Sequence, residues 1–371
     1  MAGFSLSSIT DFFSNFAHDR SGSVVGIDIG SSAIKVVQLR RDRGKAILET
    51  YGAISLGPYG DMDVGRATAL PTEAIVRALG DVLREANVTA KDAALSIPYS
   101  ASLVSVIRVP RVPEKQLASM IPIEARKYIP VPISEVLLDW YAIPDSNKTV
   151  TDEKDQSTHM NVLLVAIHND TISKYQTIVK DAQLSASFFE IEVFSTVRSS
   201  LDHGIAPVAV LDMGASSTKL YLSERGIIRE SHIINRGGQD ITLAIAQALS
   251  ITPKQAEEEK RTRGLSDPSQ ENLVRSINLT LEPSLSEINR IILSYETHMQ
   301  SSISKLILTG GGATLKGMEA LLKTKLSTPI ERASPFAKTQ APAFLGDVLG
   351  EAGPEFSVAV GLALRRLQEL S

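Results

Sequence analysis

Two short stretches carry residue types suited to holding phosphate, and the second repeats the first in type and order. Asp28, Gly30, Ser31, Ser32 and Lys35 stand between Val25 and Leu39; Asp212, Gly214, Ser216, Ser217 and Lys219 stand between Ala209 and Leu222. Glycine lets the backbone approach a ligand, successive N–H groups and Ser hydroxyls cradle phosphate oxygens, and a lysine reaching back supplies a compact positive charge. A carboxylate beside phosphates makes sense with Mg²⁺ between them, held through water, a role open to Asp28 and Asp212. A buried hairpin accounts for the apolar flanks of each stretch, but not for an acid followed by glycine and hydroxyls. Two loops of one design imply two related halves closing on one ligand.

The elements that must position these loops follow from the apolar pattern. Val24, Val25 and Ile27 enter the first turn and Ile34, Val36, Val37 and Leu39 leave it, a β-branched density suited to strands buried on both faces. A strand over 46–54, a helix over 71–87 and a strand over 93–97 extend this first α/β half. Residues 100–186 break the pattern and read as an inserted subdomain, with strands at 102–109, 136–143 and 161–167 and helices at 114–128 and 170–183. Pro122 should kink the first of those helices, and the polar stretch 145–159 reads as a hairpin tip. Residues 188–201 return the chain to the first half.

The second half opens at Pro207. After a strand over 227–235, Gly237 and Gly238 precede a helical run over 241–249, a plain turn or a source of N–H groups for an anion. Thr252, Pro253 and Gln255 form a helix start, and the helix that follows carries Glu257 and Lys260 among charges that by themselves read as a solvated face. Residues 270–300 read as helical with an interruption at Pro283. A strand over 305–309 runs into Gly310, Gly311 and Gly312, with Thr314 beyond, leaving bare backbone on which a flat ring could lie. Gly361, inside a last helix over 356–370, implies close packing.

At 371 residues the chain exceeds what one core usually fills. A formal net charge of −4 gives no global basic field for nucleic acid. The absence of cysteine removes disulfides, thiolate metal sites and a cysteine nucleophile together. No apolar run reaches the roughly 18 residues of a membrane span, and the N-terminus lacks the apolar centre of a signal peptide. Residues 1–23 read as an appendage whose Ile9, Phe12, Phe13 and Phe16 share one helical face, either packed on the protein itself or offered to a partner.

The segments DIGSSAIK at 28–35, LDMGASSTK at 211–219, AEEEK at 256–260 and LTGGGATLKG at 308–317 resemble the nucleotide motifs of the actin, Hsp70 and sugar kinase ATPase fold. EARKYIPVPISEVLLDW at 124–140 and VAVGLALR at 358–365 are similar to stretches of the PilM family, the FtsA-like cytoplasmic proteins of type IV pilus assembly. The resemblance covers roughly 24–371. It implies a duplicated, ribonuclease H-like α/β fold of two lobes. The first half would be 24–99 continued at 187–205, the insert 100–186, the second half 206–240 continued at 301–371, and a small helical subdomain 241–300.

It further implies ATP or ADP with Mg²⁺ in the cleft. Asp28 and Asp212 would hold the metal through water, and Gly30, Ser31, Ser32, Gly214, Ser216, Ser217 and Lys35 would meet phosphates. Glu257 and Lys260 would meet ribose and base, Gly310, Gly311, Gly312 and Thr314 would flank the adenosine, and Gly237 and Gly238 would edge the site. No motif positions a side chain to activate water, so binding without fast turnover is expected.

The implied function is an ATP-binding adaptor of the pilus inner-membrane platform. The cytoplasmic tail of a PilN-like membrane protein would lie in a groove between the first half and the insert. The location would be cytoplasmic, at the inner membrane through partners, with contact to the motor ATPases and formation of a homo-oligomer left open. Two other readings stand beside it. A small-molecule kinase would need an aspartate base and a substrate pocket, and an FtsA-like filament protein would need a membrane contact.

Overall fold

The apolar runs flanking the two turns form pairs of antiparallel strands. β1 (Ser23–Ile29) and β2 (Ala33–Asp42) bury Val24, Val25, Ile27, Ile34, Val36, Val37 and Leu39 completely, each burial being worth roughly 1.5–3 kcal/mol before chain entropy. β3 (Lys45–Ser55) extends the meander. After α1 (Thr72–Glu85), β4 (Asp92–Ile97) joins parallel to β1. The computed structural model describes residues 22–144, 158–202 and 204–370. The apolar stripe at Ile9, Phe12, Phe13 and Phe16 and nearly all of the polar stretch 145–159 lie outside the described residues.

The chain then builds a separate three-stranded sheet from β5 (Ser102–Pro110), β6 (Val136–Ala142) and β7 (His159–His168), in the order β5-β7-β6. One face is covered by α2 (Glu114–Ala125), whose Leu117 and Ile121 pack on Ile107, Val109 and Leu164. The other face gives Val104, Leu163, Val165 and Ile167 to the core of the first lobe. α3 (Asn169–Asp181) packs against α1 and places Tyr175, Ile178 and Val179 in that same core. The apolar stripe of α3 thus meets both the first lobe and the inner face of the small sheet in one continuous core. β8 (Ser185–Ile191) completes the first large sheet, β3-β2-β1-β4-β8, and leads into α4 (Glu192–Ser200).

The second lobe repeats that order. β9 (Val208–Met213), β10 (Thr218–Glu224) and β11 (Ile227–Ile234) form a meander, and β12 (Lys305–Thr309) and β13 (Ile330–Arg332) join in parallel to give β11-β10-β9-β12-β13. Its helices are α5 (Gly238–Leu249), α6 (Pro253–Thr262), α7 (Glu271–Met299) and α8 (Met318–Lys325). The capping box at the start of α6 is present, with the Gln255 N–H donating to Thr252 Oγ1 and the Thr252 N–H to Gln255 Oε1. α7 runs unbroken through Pro283, where an interruption is expected from the sequence. Pro283 lies on the exposed face and Leu279, four residues before it, is 64% exposed, so the hydrogen bond that proline removes is lost on the solvent side of the helix and not in the core.

After α9 (Gly346–Ala352), α10 (Ser357–Glu369) crosses back to the first lobe. It lies on β1, β2 and α4, where Phe356, Ala359, Val360 and Ala363 cover Val24, Val37 and Leu39. The assignment of all of 301–371 to the second half therefore does not hold for 357–369. The apolar face left by β1 and β2 needs a cover, and this helix supplies it. Arg365 pairs with Glu190 of β8 at 2.7 Å and stacks 4.1 Å from the Phe188 ring centre, while Arg366 pairs with Asp92 at 2.9 Å. Among the described residues no helix is long and apolar enough to cross a membrane.

Candidate functional site

Strand register assembles the chemistry. Asp28 faces Lys35 across β1 and β2, and Asp212 faces Lys219 across β9 and β10. The Gly30 N–H donates to the Ala33 carbonyl and the Gly214 N–H to the Ser217 carbonyl, each at 3.0 Å. The two turns thus share one geometry, and both open onto a single cavity of about 430 Å³ between the lobes. Asp28, Gly30, Ser31, Ser32 and Lys35 line it from one side and Asp212, Gly214, Ser216, Ser217 and Lys219 from the other. Gly238, Glu257, Lys260, Gly310, Gly311, Gly312 and Thr314 complete the expected set on its wall. Gly237 is not on the wall. It packs behind the second turn, where a Cβ would run into the Ala215 carbonyl, and its N–H donates to Asp240 at the start of α5.

The site's charges are mostly paired. Asp28 accepts a hydrogen bond from Ser96 Oγ at 2.8 Å; burial lifts its carboxyl to about 6, against the pull of Lys35. Lys35 lies 3.8 Å from Glu355. Lys219 bridges Glu192 at 2.8 Å and Asp212 at 3.3 Å; burial alone would lower its pKa, but those carboxylates outweigh it and hold the ammonium above its usual range. Glu257 accepts from Lys260, Arg261 and Thr242, each at 2.6 Å. Burial opposes ionisation of Glu257, yet the two cations hold it below the usual carboxylate range.

Glu192 is the site residue that sequence reasoning misses. It is the first residue of α4, lines the cavity, and accepts the Tyr99 N–H on Oε1 at 2.7 Å and Lys219 on Oε2. An acid at the junction of a buried strand and a helix is its one local signal. Two carboxylates, Asp28 and Asp212, on opposite walls beside hydroxyl and glycine turns suit a cation held through its water shell. Among the described residues no cluster of three acids or histidines offers direct ligation instead.

The model of the family "Type IV pilus assembly protein PilM" matches residues 26–367. The chain belongs to that family. It is similar to the solved structure titled "PilM-PilN type IV pilus biogenesis complex", at 26% identity and a TM-score of 0.78, covering 93% of this chain and 98% of that one. It is 21% identical over 383 residues to the cell division protein FtsA of Bacillus subtilis (strain 168), covering 91% of this chain and 82% of the relative. A more distant likeness of fold is to MreB5 of Spiroplasma citri bound to ADP, at 11% identity and a TM-score of 0.54, covering 94% of this chain and 98% of that one. The fold is thus the actin-like ATPase fold.

Proposed function

We propose that the chain is a nucleotide-responsive adaptor of type IV pilus assembly. It would bind Mg²⁺ with ATP or ADP between its lobes and the cytoplasmic tail of a PilN-like membrane protein beside the insert. The observation that carries this reading is the pair of matching turns, with Asp28 opposite Lys35 and Asp212 opposite Lys219, on one cavity. The nucleotide-bound structure of MreB5 and the PilM–PilN structure supply the ligand and partner classes.

Each residue's part follows from its place. Ser31, Ser32, Ser216 and Ser217 with the glycine N–H groups would bind phosphate oxygens, Lys35 would add positive charge, and Asp28 and Asp212 would orient the metal's water shell. Bound Mg²⁺ would neutralise phosphate charge. Glu257 and Lys260 would meet the ribose and base. Both oxygens of Glu192 are engaged, by Tyr99 and Lys219, which argues against a free base and for slow turnover. A ligand gripped from both sides favours closed lobes, and the first lobe shares a continuous core with the inserted sheet, so closure can reach the groove assigned to the tail. A membrane-anchored partner bound there would hold the protein at the inner membrane.

The test is calorimetry with a peptide copied from the tail of the PilN-like partner, with and without saturating Mg²⁺–ATP. The adaptor reading predicts peptide binding whose affinity shifts about fivefold or more with nucleotide, and a reciprocal shift in nucleotide affinity of the same size. No peptide binding would contradict the adaptor, and binding indifferent to nucleotide would contradict the coupling.

A further inference from the structure

The segment joining β3 to α1 lines the cavity at Leu56, Gly65 and Thr68. Its two ends are tied to the first phosphate-type turn: the Leu56 N–H donates to the Ser32 carbonyl and the Thr68 N–H to the Ser31 carbonyl, both at 2.8 Å. Leu56 and Leu70, near those ties, are 2% and 8% exposed, whereas Met62 and Val64 near the tip are 41% and 44% exposed. The segment is therefore rooted in the first lobe, and its tip exposes side chains while its backbone folds back on its own base, the Met62 N–H donating to the Gly57 carbonyl at 2.9 Å. The tip reaches the second lobe at Gly65, which with φ of +86° lies against Glu257, so that a Cβ there would stand 2.6 Å from the carboxyl carbon and 2.7 Å from Oε1. Glu257 cannot simply yield, because Lys260, Arg261 and Thr242 fix both its oxygens. Gly65 and Thr68 lie on the cavity wall with Glu257. The phosphate turn of one lobe and the helix carrying Glu257 on the other are thus spanned by one strap.

We propose that the strap over 56–68 is the gate of this cavity, shut by the contact of Gly65 with Glu257, and that its opening sets how fast nucleotide leaves. The proposal rests on the nucleotide reading above. A residue without a Cβ is required at Gly65 both by its left-handed backbone and by the carboxylate it meets, so any side chain there holds the gate ajar. Because the strap hangs from the carbonyls of Ser31 and Ser32, a phosphate that orders this turn also steadies the gate.

The experiment uses the full chain with Mg²⁺ and a fluorescent ATP analogue chased by excess ATP in stopped flow. Two variants are compared with the parent: Gly65→Val, and a chain in which residues 61–65 are replaced by two glycines. The gate predicts that dissociation speeds up about tenfold or more in both, and that the Thr68 amide gains hydrogen-exchange protection when nucleotide binds the parent. Dissociation at the parent rate from folded variants overturns the gate and leaves the nucleotide reading standing. Failure of the parent to bind the analogue or ATP overturns the nucleotide reading, and the gate with it. Where Gly65→Val does not fold, the shortened strap decides.

Discussion

At the scale of single residues, the buried charges of the cavity are paired with one another, and a buried acid elsewhere shows what happens without such pairing. Lys219 sits between Glu192 and Asp212, and those three would otherwise be unpaired in a largely buried wall. Asp139 of β6 is the contrast: it is 1% exposed, its Oδ1 accepts the Trp140 N–H at 2.8 Å, and its Oδ2 has no partner. Burial raises its carboxyl from 3.8 to about 6, the Trp140 hydrogen bond opposing. Between those two values the unfolded chain is ionised while the folded chain keeps the proton. Stability contributed by Asp139 is therefore full below about pH 4 and falls as pH rises to about 6, by about 3 kcal/mol. Asp139→Asn removes this term, so the stability of the variant relative to the parent should climb across that window in urea titrations; a difference independent of pH would contradict it. Asp28, Gly30, Ser32 and Lys35 were legible in the sequence because Asp212, Gly214, Ser216 and Lys219 repeat them in order. Glu192 was not, because its meaning comes from Lys219, 27 residues away, and from the backbone N–H of Tyr99 in the turn between β4 and β5.

At the scale of elements, packing decides what periodicity leaves open. The stripe on α10 announced a buried face but not which sheet it would cover, and it covers the first lobe. Likewise the stripe on α3 could not say that its partner is α1, and Pro283 could not say that it would lie on the exposed side of an unbroken helix. Gly361 did announce close approach, and α10 does meet α4 there, with a Cβ at that position running into the backbone of Ser195. Gly361→Ala sets two effects of opposite sign against each other. Helix propensity alone would stabilise by about 1 kcal/mol, while forced separation of packed helices costs about 1–3 kcal/mol. Because the obstacle is backbone, not the end of a flexible side chain, the second effect should win, giving net destabilisation by chemical denaturation. A more stable variant would show that the helix crossing gives way easily.

At the scale of the whole molecule, the chain is two copies of one sheet order, each with an acid–glycine–hydroxyl–lysine hairpin, closed on one cavity and stitched together by two returns. One return is α10, anchored by Arg365 on Glu190, whose carboxyl burial would raise but Arg198 and Arg365 hold down at about 2. The other is the strap that brings Gly65 to Glu257. Duplication was readable from the repeated motifs; the returns were not, since both depend on which surfaces remain uncovered after the sheets form. If the two hairpins make one site, both must contribute to the same bound nucleotide. The most direct test is titration of Mg²⁺–ATP by calorimetry into the parent, Asp28→Asn and Asp212→Asn. One nucleotide should bind per chain and, in each variant, with an affinity lowered about tenfold or more, the loss expected for a charged contact. Two independent sites, or parental affinity in either variant, would contradict a single shared site.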